Sequence, residues 1–216
     1  DLDIKGLGFK PDLVWMKPRS AANDHVLVDA VRGVTKRLFS NLNNAESTAA
    51  ESLKTFNSDG FTLGDHSSVN TSGVTHVAWN WDAGTAAVGS PGSSGDMTAS
   101  VQWVNATAGF SISKVVKPDN TADQTFEHGL GAKPSVVLQR RYDVAEDWYW
   151  YTSEVDGSHD FLILNSNAAK SDTGTPAPTN SLATTMNAAG NYIVYCWTPI
   201  PGYSAFGIFD GSGSAT

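Results

Sequence analysis

Two phrases in this chain, GLGFKPDLVWMK at Gly6–Lys17 and GLGAKPSVVLQR at Gly129–Arg140, are versions of one another, and this internal likeness constrains the fold more than any single motif. Lys10-Pro11 and Lys133-Pro134 lie 123 positions apart, and the same offset relates Asp24 to Asp147, each just ahead of an extended run, HVLV or WYWY. RLFSNLNNA at Arg37–Ala45 then matches FLILNSNAA at Phe161–Ala169, with the offset moved by one. HVAWNW at His76–Trp81 matches YIVYCW at Tyr192–Trp197 after a shorter loop. A period of roughly 100 residues is too long for a solenoid and predicts two tandem copies of one small domain.

The copies read as β. Apolar segments are short, rich in β-branched and aromatic residues, and bounded by Gly, Pro, Asn and Asp. Strands are expected at Asp12–Lys17, His25–Val28, Arg37–Ser40, Gly60–Leu63, Thr75–Trp81, Ala99–Val104 and Gly109–Val116. The second half adds Ser135–Arg140, Trp148–Thr152, Asp160–Leu164, Tyr192–Trp197 and Tyr203–Phe209. Ala45–Lys54 alone has helical composition, without a strong apolar stripe, and is expected to be a loop with at most one or two helical turns. The fold expected is all-β: two tandem antiparallel β-sandwich (jelly-roll-like) repeats. The first spans 1–83 and the second 98–201, joined by a Gly/Ser/Pro linker at 84–97. Residues 202–216 form a terminal strand echoing the start of a further repeat. GYSAFGIFDGSG at Gly202–Gly213 resembles AGFSISKVV at Ala108–Val116, a strand for which the first copy has no room. Tyr203, Phe206 and Phe209 are therefore expected on an interface strand that completes the first copy, in the same chain or a neighbouring one.

Composition excludes several classes. The 216 residues carry 14 basic and 22 acidic groups, a formal net charge of −8 that argues against nucleic acid as the main partner. No apolar run approaches the ~20 residues of a membrane-spanning helix, so no membrane insertion is expected, and DLDIKGLGF lacks the pattern of a signal peptide. Cys196, the one cysteine, excludes an intrachain disulfide and a Cys-based zinc cluster.

The richest chemistry is aromatic: Tyr142 with Trp148-Tyr149-Trp150-Tyr151, flanked by Glu146, Asp147 and Glu154. On a strand, Trp148 and Trp150 share one face and the tyrosines share the other. In the first copy Val26 answers Tyr149 and Val28 answers Tyr151, which makes the tyrosine face the core face. Trp148 and Trp150 could then stack on sugar rings beside hydrogen-bonding carboxylates, or pack on a neighbouring copy or subunit. The ligand-binding set expected is Tyr142, Asp147, Trp148, Trp150 and Glu154, for glycan or subunit contact. Glu146, Asp147, Glu154 and Asp156 could supply a glycosidase pair. The repeated Asp24 and Asp147 read better as turn caps.

Five histidines, four beside an acid (Asp24-His25, Asp65-His66, Glu127-His128, His159-Asp160), read as polar turn residues, because no HxH or HxxxH spacing occurs. No GxSxG elbow is present. Asn70-Thr71-Ser72 and Asn105-Ala106-Thr107 match glycosylation acceptors by composition alone. No catalytic residue, metal ligand or cofactor is expected.

GLGFKPDLVWMKPRS (Gly6–Ser20), DHVLVDAVRG (Asp24–Gly33), SNLNNAES (Ser40–Ser47), FNSDGFTLG (Phe56–Gly64), HVAWNW (His76–Trp81), the AGFSI phrase at Ala108–Ile112 and the HGLGxxP phrase at His128–Pro134 form a set. The set resembles a repeat domain of phage tail-fibre and other virion proteins, notably those of marine phages that infect cyanobacteria. The second half departs from it at Asp143–Gly157 and lacks a clear SDGF block. The resemblance implies a non-enzymatic virion structural protein made in the host cytoplasm, a tail-fibre or spike module contributing to assembly and host-surface glycan attachment. Its implied partners are copies of itself, other virion proteins and host glycan. The alternatives are a purely structural fibre or capsid decoration protein, and a secreted glycan-degrading enzyme.

Overall fold

Several apolar runs here do not alternate: LVWM, VLV, VVL and YIVYCW are hydrophobic on both faces of any strand they form. A strand of that kind needs cover on both sides. The structure, a computed structural model, describes residues 1–84, 96–97, 99–184 and 188–213, and supplies that cover by stacking sheets. The first half contains β1 (Leu2–Lys5), β2 (Leu13–Pro18), β3 (Val26–Asp29), β4 (Lys36–Phe39), β5 (Ser47–Thr48), β6 (Leu53–Asn57), β7 (Gly60–Leu63) and β8 (His76–Trp81). The second contains β9 (Ala99–Asn105), β10 (Phe110–Lys117), β11 (Thr125–Glu127), β12 (Val136–Arg141), β13 (Tyr149–Thr152), β14 (Asp160–Ile163), β15 (Ser171–Asp172), β16 (Leu182–Thr184) and β17 (Gly190–Trp197). No helix occurs among the described residues, and Ala45–Lys54 is β5, a turn and the start of β6.

All strand pairs are antiparallel. The first half makes a five-stranded sheet in the order β5-β4-β3-β2-β8 and a small sheet β1-β7-β6. The second makes a sheet in the order β15-β14-β13-β12-β17-β10-β9 and the pair β11-β16. The two large sheets share an order from β5 to β8 and from β15 to β17, and they share a register. Leu13 sits opposite Trp81 and Val136 opposite Trp197, while Val14 faces Val28 and Val137 faces Tyr151. Among the described residues only the second large sheet continues past this point, with β10 and β9.

Three cores follow from the two-faced strands. Val14, Met16, Val26 and Val28 pack on Leu53, Phe61 and Leu63 of the small sheet. Val137, Tyr151, Tyr192, Val194 and Cys196 pack on Phe126 and Ala183 of the β11-β16 pair. The remaining faces of the two large sheets meet each other: Leu13, Leu27 and Leu38 from the first half join Phe110, Ile112, Leu138, Trp148, Ile193 and Tyr195 from the second. Each half is thus a sandwich, and the two stack through this third core. Most of the expected linker lies outside the described residues.

Two loop motifs are explained locally. Asp59 of the SDGF phrase accepts the backbone N–H groups of Gly6 and Gly8, at 3.1 and 2.6 Å, and so ties the GLGF turn to β7. Gly60, at φ +147°, lies so close to β1 that a Cβ there would fall 1.9 Å from the Ile4 carbonyl oxygen.

The expected terminal strand Tyr203–Phe209 is not formed. Ser204 makes an isolated bridge with Ile200 across a tight turn whose Gly202 has φ +77°. That turn sends the segment over the mouth of the junction, where Phe206 is half-buried against the shared core. Tyr203 is 74% exposed and Phe209 93%.

Candidate functional site

The junction between the halves is stapled by polar groups that the phrase DHVLVDAVRG supplies. Asp29 and Arg32 are buried and paired, Nε to Oδ2 at 2.6 Å, and the Arg32 backbone N–H donates to Asp29 Oδ1 at 2.8 Å. Arg32 Nη1 donates to Glu46 Oε2 at 3.1 Å. From the other half, the Tyr195 hydroxyl donates to Asp29 Oδ2 at 2.7 Å. Burial opposes the Arg32 charge, yet the carboxylates of Asp29 and Glu46 outweigh it and raise its pKa. Burial, then the adjacent Asp29, pushes the Tyr195 hydroxyl well above its ordinary value, so it stays a donor. Arg140 donates to the carbonyls of Leu42, Asn43 and Asn44, and burial next to Arg32 lowers its pKa to about 10. The Trp148 indole N–H donates to the Phe39 carbonyl at 2.7 Å.

A groove opens beside this staple. One end is aromatic, about 420 Å³, lined by Trp15, Trp81, Trp150, Trp197 and the overlying Tyr203 and Phe206. Trp81 meets Trp197 edge-on at 5.7 Å between ring centres, and Trp150 stacks on Trp197 at 6.2 Å. Trp15 also borders a polar cavity of about 680 Å³, where His25, Ser40 and Asn41 from the first half face Leu164, Asn165, Ser166 and Asn167 from the second; the shared indole makes the two cavities neighbouring ends of the groove. Both amides are held by the same device. Asn41 donates to Asp24 at 2.8 Å and accepts the His25 backbone N–H at 2.8 Å. Asn165 donates to Asp147 at 2.7 Å and accepts the Trp148 backbone N–H at 2.8 Å. The repeated aspartates thus fix the orientation of two asparagines across a cleft. Each asparagine amide retains a second N–H beyond that bond.

The expected site residues divide. Trp150 lies in the groove, half-buried, and Asp147 lies behind Asn165. Trp148 is fully buried and presents no surface to a glycan; the tryptophan face read as a ligand or subunit surface is turned onto the first half of the same chain. Tyr142 is half-buried, its ring under Lys114 Nζ at 5.2 Å and its carbonyl accepting the Glu46 N–H at 2.7 Å. Glu154 lines an adjoining cavity of about 320 Å³ that shares Trp150 and Phe206 with the aromatic end. Trp15, Trp81, Trp197, Asn41 and Asn165 join the site without having been expected there. Their signal was present, since the asparagines and the last two tryptophans occupy matched blocks.

Outside the groove, one acidic cluster among the described residues is neutralised by a lysine. Asp156, Asp160 and Asp172 bring carboxylate oxygens within 4.8 Å of one another, and the ammonium of Lys170 bonds all three at 2.6, 3.0 and 2.9 Å. Lys170 also holds Asp156 below the ordinary carboxylate value. His128 and His159 are buried rather than turn-exposed, and burial lowers both pKa values.

A family model described as a domain of unknown function, DUF7483, matches residues 1–216. No curated protein matches, and no solved structure does.

Proposed function

This chain belongs to the DUF7483 family, and we propose that it is a non-enzymatic virion structural module, of the tail-fibre or spike kind, that presents its inter-lobe groove to host-surface glycan. The observation that carries this reading is the groove: an aromatic floor of Trp15, Trp81 and Trp150 continuing into the amides Asn41 and Asn165. Sugar rings have apolar C–H faces that pack on indoles and hydroxyls that need oriented donors and acceptors. A concave site with an apolar wall and a few fixed polar groups meets both needs. The asparagines are oriented before any ligand arrives, which reduces the ordering cost of binding. The shared strand order and register of the two large sheets, with the matched sequence blocks, support tandem duplication. On that reading the groove is the seam between copies, and the phage-fibre resemblance supplies the setting. A non-catalytic role is supported by the carboxylates, since Asp147 serves Asn165 and Asp156 is held by Lys170.

Titration of the purified chain with host-surface polysaccharide, followed by calorimetry, tests the reading. Trp150→Ala should weaken binding about tenfold, the loss of roughly 1.4 kcal/mol of stacking. Asn167→Ala, at an exposed position of the polar end, should weaken it without lowering the melting temperature. Reducing ends should not accumulate during the titration. Unchanged affinity in both variants, or turnover of the polysaccharide, contradicts the proposal.

A further inference from the structure

The first large sheet ends at β8, although its counterpart in the second does not end at β17. There β10 covers the edge, with Phe110 opposite Trp197, Ser111 opposite Cys196 and Ile112 opposite Tyr195. On β8 the corresponding positions are Trp81, Asn80 and Trp79, and among the described residues β8 pairs with β2 alone. Such an edge presents a row of open backbone groups to any strand that fits. Among the described residues the Ala78 carbonyl accepts only the Asn80 side-chain amide, at 3.3 Å. Trp79 is 45% exposed, and beside Ala78 lies an apolar cavity of about 250 Å³ walled by Ile4, Leu7 and Phe61.

The same chain carries an unpaired segment of the matching kind. Ala205-Phe206-Gly207-Ile208 echoes the Ala108-Gly109-Phe110-Ser111-Ile112 phrase that begins β10. Past Phe206 it runs exposed, with Ile208 at 59% and Phe209 at 93%. In its own molecule the Ile200–Ser204 turn leads it away from β8, towards Val155 and Leu162.

We propose that the free edge of β8 takes up the Phe206–Asp210 segment of a second copy of this chain as an added antiparallel strand. Aligning Phe206 with Phe110 sets the register: Phe206 opposite Trp81, Ile208 opposite Trp79 and Phe209 opposite Ala78. Phe206 then exchanges the mouth of its own junction for the Trp81 side of its neighbour's. Ile208 covers the exposed Trp79 indole. Phe209 falls on the face of Ala78, over the cavity of Ile4, Leu7 and Phe61. Strand addition supplies backbone hydrogen bonds along the segment and side-chain pockets on alternate positions. The contact is heterologous, edge to tail, so repetition without closure makes a filament.

Cysteine pairing tests both contact and register, since directly opposed strand residues lie within disulfide reach and the native Cys196 is buried. Full-length chains carrying Trp79→Cys and Ile208→Cys separately should, when mixed and oxidised, give a covalent dimer at least tenfold more abundant than either alone. A chain carrying both should give a ladder of oligomers. The Ile208→Asp, Phe209→Asp variant should sediment as a monomer at concentrations where the parent chain associates, with its melting temperature unchanged. Closure of the double-cysteine chain on itself would make the segment an intramolecular cover and overturn the proposal. So would absence of the mixed dimer, or a parent chain that stays monomeric at millimolar concentration.

Discussion

Arg32→Met is expected to destabilise the chain by about 3–5 kcal/mol, because it strands a buried carboxylate. The Asp29 side chain is fully buried and its partners are few: Arg32 Nε, the Arg32 backbone N–H and the Tyr195 hydroxyl. Without the guanidinium the carboxylate either stays charged in a low-dielectric site or takes up a proton. Glu46, 18% exposed, also loses its closest cation but can reach water. At about 2–4 °C per kcal/mol for chains of this size, the melting temperature should fall by roughly 10 °C. Tyr195→Phe removes one bond to the same carboxylate and should cost less, on the order of 1–3 kcal/mol. Asp29→Asn combined with Arg32→Met should recover part of the loss, since the unpaired charge is gone. Calorimetry on the four proteins decides this. An Arg32→Met loss under about 1 kcal/mol would mean that the staple between the halves is not held by its charges.

Trp148→Ala should cost a similar amount for a different reason. The indole has no exposed surface, stacks on Tyr195 at 6.4 Å between ring centres, lies under the Arg140 guanidinium at 5.1 Å and donates to the Phe39 carbonyl. Truncation leaves a cavity in the core shared by both halves, and losses of about 3–5 kcal/mol are typical of buried aromatic-to-alanine changes. The carbonyl of Phe39 also loses the closer of two donors, keeping the Leu42 N–H at 3.3 Å. Because the void lies between the sheets, it should loosen the stacking of the halves before either sandwich melts, splitting one calorimetric transition into two. Trp148→Phe keeps much of the volume and loses the N–H, so its cost should be intermediate with a single transition. A Trp148→Ala protein that melts within about 2 °C of the parent would contradict this account of the junction.

The β content was legible because short apolar segments flanked by Gly, Pro, Asn and Asp have few other uses. Eleven of the twelve strand segments read from the sequence overlap strands. The exception, Tyr203–Phe209, has strand composition but among the described residues only the Ile200–Ser204 bridge, whose turn directs the rest away from any ladder. Short outer strands such as Leu2–Lys5, Thr125–Glu127 and Leu182–Thr184 were missed, being too brief for any period to register. Stacking of the halves was written in the two-faced strands LVWM and YIVYCW. A strand with one buried face would not place Val14 and Leu13, or Tyr195 and Val194, all in cores. The groove was half legible: Trp150 and Asp147 stood out locally, but Trp15 and Asn41 reach it only through tertiary packing across more than 100 residues.

The most direct test of the proposed glycan role is a crystal structure of the chain with a bound oligosaccharide of the host-surface kind proposed above. The account predicts a sugar ring against the Trp150 or Trp15 indole, with hydroxyls hydrogen-bonded to Asn41 and Asn165, whose bonds to Asp24 and Asp147 stay in place. A sugar bound away from the junction, with the four tryptophans covered only by Tyr203 and Phe206, would contradict it.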